Sequence, residues 1–124
     1  MSQLITNLDQ LNEIYQLSIL YDFYGELLTD HKKQIFEDYV LNDLSLSEIA
    51  KKKSISRQGV HDIVKRCTKE LKDYERKLNL IDRFKIIKSK LSQIEDISVS
   101  IKENKDLSQL QKIQPIIQEI LKEL

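Results

Sequence analysis

The stretch SRQGVHDIVK, residues 56–65, holds the side chains best suited to chemistry with another molecule: Ser56, Arg57, Gln58, His61, Asp62 and Lys65. Their spacing brings them to one side of a helix. A guanidinium can fork onto guanine and an amide onto adenine, so such a face suits the base edges of a major groove. A serine at the cap leaves free N–H groups at the positive end of a helix, a place for a phosphate. Lys51, Lys52, Arg66 and Lys69 extend the cationic character on either side. The expected nucleic-acid-binding set is therefore Ser56, Arg57, Gln58, His61, Lys65, Lys51, Lys52, Arg66 and Lys69. The plainer alternative is that these side chains only solvate the surface of a three-helix packing unit.

The elements that must position this set lie in LSLSEIAKKKSISRQGVHDIVKRCTKELK, Leu44 to Lys72. Ser45 and Glu48 have the S-x-x-E spacing of a capping box and start a first helix. Ile49 and Ala50 face inward, with Ala50 small enough for a close crossing, and the helix runs out at Lys51, Lys52 and Lys53. Ser54 and Ile55 form a short turn. Ser56 caps a second helix, in which Val60, Ile63, Val64, Cys67, Leu71 and Tyr74 recur at three- and four-residue intervals. This is the pattern of a helix-turn-helix, and its second helix is expected to continue past Lys72.

Composition agrees with an all-α protein. The 124 residues contain two Gly and one Pro, and 32% are charged. A formal net charge of zero argues against nucleic-acid binding until the distribution is considered. Residues 1–50 are acidic by seven charges, whereas residues 51–69 carry a surplus of six positive ones. The positive band coincides with the motif and makes it the phosphate-seeking side.

Upstream, Asn7 and Gln10 can open a first helix that runs through Leu8, Leu11, Ile14 and Tyr15 and on to Leu28. Gly25 is tolerable there if it permits close packing. The aromatics Tyr15, Tyr21, Phe23 and Tyr24 sit in the acidic half, so they read as core or partner contacts, not as a base-stacking platform. Thr29 or Asp30 caps the next helix, with Ile35, Phe36, Tyr39 and Val40 inward, and Asn42 and Asp43 end it. Downstream, Asn79 is the expected hinge. Leu80, Phe84, Ile87, Leu91 and Ile94 then form an amphipathic seam that can fold back or zip onto a second copy, with a homodimer favoured. Asp106 restarts a helix, and Pro115 is expected to bring a kink or break near Gln114. The organisation expected is a helical domain over 1–80, with the motif at 45–72, and a helical extension over 81–124.

No glycine-rich phosphate loop, H-E-x-x-H or Cys/His metal spacing occurs, so neither catalysis nor a cofactor or metal is expected. Cys67 is the only cysteine and falls on the inward stripe, where it reads as a small apolar side chain. MSQLITNLDQ lacks the basic and apolar regions of a secretory signal, and no eighteen apolar residues run together. A cytoplasmic protein that does not enter a membrane is expected.

The phrases FYGELLTD, DLSLSEIA, SISRQGV and DYERKLNL, within Tyr21 to Leu80, resemble the YlxM family of small bacterial helix-turn-helix proteins. The helix-turn-helix itself is similar to the promoter-reading fourth region of sigma factors. The resemblance implies a sigma-region-4-like helical bundle whose long recognition helix reads DNA. It also implies an accessory or regulatory part in protein targeting by the signal recognition particle, through the particle's RNA or its protein components. By position, Ser56, Arg57 and Gln58 match the family's S-R-Q. Gly59 stands where alanine is usual, Ser54 and Lys53 replace a glycine and an apolar residue in the turn, and Asp62 puts an acid on the groove face, where Arg66 or Lys65 can neutralise it. A module that docks the particle's GTPase without touching nucleic acid is the competing reading.

Overall fold

A computed structural model describes the backbone from Ser2 and the side chains from Asn12 to Leu124. Its order is α1 (Ser2–Tyr24), a 3-10 turn (Gly25–Leu27), α2 (Asp30–Val40), α3 (Leu46–Lys53), α4 (Arg57–Leu78), α5 (Leu80–Asn104), a 3-10 segment (Leu107–Lys112) and α6 (Ile113–Glu123). No strand occurs among the described residues. The chain forms two compact units that meet between Leu78 and Asn79. At Asn79 the backbone takes the left-handed conformation, φ 57°, which ends α4 and which asparagine tolerates better than most residues.

In the first unit, α1, α2 and α3 all pack on α4. The stripe expected of α4 is where the core forms: Val60, Cys67 and Leu71 are fully buried, and Val64 nearly so. Ile35 and Phe36 of α2, Ile49 and Ala50 of α3, and Leu17, Leu20, Tyr21 and Tyr24 of α1 close over it. Burial pushes the Cys67 thiol up to about 11, which leaves it an unreactive thiol within the core.

The aromatic set divides. Tyr24 is buried, stacks on Tyr74 with ring centroids 6.0 Å apart, and donates its hydroxyl to Glu75 at 2.5 Å, tying the end of α1 to the far part of α4. Tyr21 is buried beside Phe36 and donates to Glu37. Burial and that carboxylate raise its pKa well above the usual tyrosine value. Tyr15 alone is well exposed. Gly25 lies against the Tyr21 ring so closely that a Cβ there would sit 2.6–2.9 Å from three ring atoms, which accounts for a glycine at the end of α1. α1 is already helical at Ser2, ahead of the Asn7 expected to open it. The cap pairing of Asn7 with Gln10 lies outside the described side chains.

The second unit is a helical hairpin in which α5 packs against α6 and the 3-10 segment. Lys90 reaches Glu119 at 2.5 Å, and Ser100 accepts from Gln109 at 3.1 Å. Ile87 and Ile94, on the same side of α5 as Lys90, are half-buried, so this part of the seam is covered from within the chain. Leu80, Phe84 and Leu91 remain 41%, 52% and 52% exposed. Asp106 caps the 3-10 segment by accepting from the Ser108 N–H at 3.1 Å, and hydrogen bonds from Ser108 hold its carboxyl below the usual range. The helix restart expected at Leu107 is thus a 3-10 run first. No break falls at Gln114: α6 starts at Ile113, and Pro115 lies in its first turn, where no backbone donor is needed.

Candidate nucleic-acid interface

The motif closes through the capping groups legible in its sequence. The Ser45 hydroxyl accepts from the Glu48 N–H at 3.1 Å, and Glu48 accepts from the Ser45 N–H at 3.3 Å. At the other end of α3, Ser54 is left-handed, with φ 56°. Its N–H and that of Ile55 turn back to the carbonyls of Lys51 and Ala50, at 3.4 and 3.1 Å. Ser56 then caps α4, its hydroxyl accepting from the Gly59 N–H at 2.9 Å.

α4 turns about 100° per residue, so the side opposite Val60, Cys67 and Leu71 belongs to Gln58, Asp62, Lys65 and Lys69. All four are exposed, as are Ser56, Arg57, His61 and Arg66 on the flanks and Lys51 on α3. Among the described residues, Lys51, Arg57, Lys65, Arg66 and Lys69 take part in no ion pair. The outer side of α4 is therefore open, and these five cations are not spent on neighbouring acids.

Two members are held differently from the others. Lys52 reaches Asp38 of α2 with both carboxylate oxygens 3.1–3.2 Å from its ammonium. Asp38 is 4% exposed and also accepts from Asn42 at 2.9 Å. Burial alone would raise its pKa. The hydrogen bonds from Asn42 and Lys52, with the charges of Lys52 and Lys53, outweigh that and lower it. Lys52 thus clamps α3 to α2. Lys53 likewise reaches across to Gln34, at 2.6 Å.

Asp62 is the other. Neither Arg66 nor Lys65 neutralises it: Gln58 Nε2 donates to its Oδ1 at 3.0 Å, and His61 Nδ1 lies 3.7 Å from the same oxygen. His61 and Lys65 also share a cleft of about 200 Å³ with Glu13 and Leu17 of α1, Tyr39, Leu46, Val64 and Thr68. An acid of α1 thus borders the cationic face. By sequence Glu37 and Asp38 are adjacent carboxylates suited to solvation; the buried role of Asp38 depends on the crossing of α2 and α3 and leaves no local mark.

Among the described residues there is no cluster of His, Cys, Asp and Glu able to hold a metal ion, and no helix is long and apolar enough to cross a membrane.

A capped two-helix unit with a short turn and an open, cation-bearing second helix defines the helix-turn-helix class. Comparison with known proteins gives the family: the chain belongs to UPF0122, a family described as helix-turn-helix, YlxM / p13 like, which matches residues 11–114. It is similar to a UPF0122 protein of Thermoanaerobacter sp. (strain X514), 44% identical over 87% of this chain and 90% of that one. It is also similar to UPF0122 proteins of Clostridium kluyveri, 44% identical over 86% and 96% of the two chains, and of Malacoplasma penetrans, 48% identical over 68% and 78%.

Proposed function

We propose that this protein is a non-catalytic nucleic-acid-binding protein that lays the outer face of α4 in the major groove of duplex DNA. The observation that carries the reading is the open outer side of α4 bearing Gln58, Lys65 and Lys69, flanked by Arg57, His61 and Arg66 and presented by a capped helix-turn-helix. A helix about 10–12 Å across fits a groove about 12 Å wide, whereas the major groove of duplex RNA is too narrow to admit one. Ser56 and Lys51 would hold the phosphates flanking the groove. A filter-binding titration of a randomised DNA duplex across a salt series tests this. Arg57→Ala and Lys65→Ala should each weaken binding and flatten its salt dependence by about one unit in the log–log slope. Unchanged binding in both variants would remove the reading.

We also propose a cytoplasmic role beside the signal recognition particle. Its support is the resemblance to the YlxM family, together with exposed side chains suited to a protein contact: Tyr15 on α1, Leu91 on α5 and Leu121 on α6. A pull-down of the particle's RNA and GTPase, repeated with Tyr15→Ala and Leu91→Asp, should show a loss in at least one variant. Self-association through the second unit is read separately by equilibrium sedimentation. A homodimer broken by Leu91→Asp would assign that surface to a second copy.

A further inference from the structure

Asp62 stands at the centre of the outward face of α4, among cations, where an acid costs affinity for any phosphate. Its carboxylate is nonetheless positioned. Gln58 Nε2 donates to Oδ1 at 3.0 Å and His61 Nδ1 lies 3.7 Å from the same oxygen, while among the described residues no hydrogen bond is made to Oδ2. The side chain is 54% exposed. The result is an exposed acceptor with Oδ1 engaged by Gln58 and no hydrogen bond to Oδ2, in a row whose remaining members are mostly donors.

We propose that Asp62 is a base-selecting residue that accepts a hydrogen bond from the exocyclic amino group of cytosine in the major groove. This rests on the nucleic-acid reading of α4 and deepens it by naming what one position selects. A carboxylate can only accept, and cytosine N4 offers a donor at the groove edge. Thymine O4 and guanine O6 are acceptors and face the carboxylate unfavourably. Adenine N6 is a donor, but it lies beside the N7 acceptor, which disfavours a charged oxygen and suits an amide. The arrangement thus combines attraction to one base with repulsion of others, the two parts of specificity. Lys65, three residues further along α4, and Arg57, at its first turn, supply the compensating attraction to guanine or phosphate.

The test is selection of a randomised DNA duplex on the full chain, followed by sequencing of the bound pool, for the native protein, Asp62→Ala and Asp62→Asn. The native protein should enrich cytosine at one position by about tenfold over thymine. Asp62→Ala should lose the preference at that position and keep those elsewhere. Asp62→Asn, which can also donate, should admit thymine or guanine there. If Asp62→Ala binds all sequences tighter by a common factor with their ranking unchanged, the acid is only a source of repulsion, and the proposal is overturned while DNA binding stands. If the native protein retains no duplex at all, the DNA reading itself falls and takes this assignment with it.

Discussion

Replacing Lys52 with methionine separates the structural role of this lysine from the phosphate-binding role suggested by its place in a run of three. The substitution keeps the stem of the side chain and removes the ammonium, leaving the Asp38 carboxylate, 6% exposed, with Asn42 as its remaining partner. Stripping one member of a fully buried ion pair costs about 3–5 kcal/mol. Lys52 is itself 54% exposed, so water can partly replace it. The loss should therefore be that of hydrogen bonds to a charged group, about 1.5–3 kcal/mol. That is a large fraction of the roughly 5–15 kcal/mol by which a domain is stable. With a urea m-value of about 1–3 kcal/mol/M, the unfolding midpoint followed by helical circular dichroism should fall by about 1 M. Adding Asp38→Asn should recover part of the loss, because no buried charge is then stranded. The depressed pKa of Asp38 fixes the pH dependence. A carboxylate whose folded pKa is lowered contributes stability above its unfolded pKa and loses it as the pH falls through the folded value. The gap between native and Lys52→Met protein should be full at neutral pH and close only below about pH 4. The same variant should leave the salt dependence of DNA binding nearly unaltered. A midpoint shift under about 0.2 M, taking the m-values above, would refute the clamp, and a salt slope reduced by about one would return Lys52 to the phosphate contacts.

Gly25→Ala should destabilise the first unit by about 1–3 kcal/mol, because the new methyl meets a Tyr21 ring already wedged against Phe36; calorimetry should show a melting point several degrees lower. Ser54→Gly should stabilise by up to about 1 kcal/mol by removing a Cβ from a left-handed backbone, read as a higher urea midpoint. Ser45→Ala should cost about 1 kcal/mol by uncapping α3, with Ser45→Asp retaining most of the stability.

What sequence showed well was whatever depends on neighbours along the chain. The Ser45–Glu48 box, the Ser56 cap, the inward stripe from Val60 to Leu71 and the break at Asn79 are all local patterns, and each has its physical counterpart. Helix starts were less legible where the capping pattern is weak: α1 is already helical at Ser2, ahead of Asn7. Side-chain partners set by helix crossings were not legible. Lys52 and Lys51 are equivalent in a run of lysines until α2 brings Asp38 within 3.1 Å of one of them. The seam on α5 was half legible, since spacing shows an apolar row but not that Ile87 and Ile94 would be half-buried while Leu91 stays exposed.

The same crossings limit how strongly this chain can hold a polyanion. Its motif carries a large positive surplus in sequence, yet Lys52 is committed to Asp38, and Lys53, though its charge is not paired among the described residues, is half-buried and turned to Gln34. The cations left are Lys51, Arg57, Lys65, Arg66 and Lys69, exposed and outside any ion pair among the described residues. Five phosphate contacts correspond to a log–log salt slope no steeper than about −4.5 on duplex DNA. With a net charge of zero over the whole chain, there is no long-range attraction to add to these contacts. Non-specific binding should therefore be weak at physiological salt, and occupancy of DNA should depend on what the bases offer to Arg57, Gln58 and Asp62. A measured slope clearly steeper than about −5 would mean that phosphates are met by a surface beyond α3 and α4, or by a second copy of the chain.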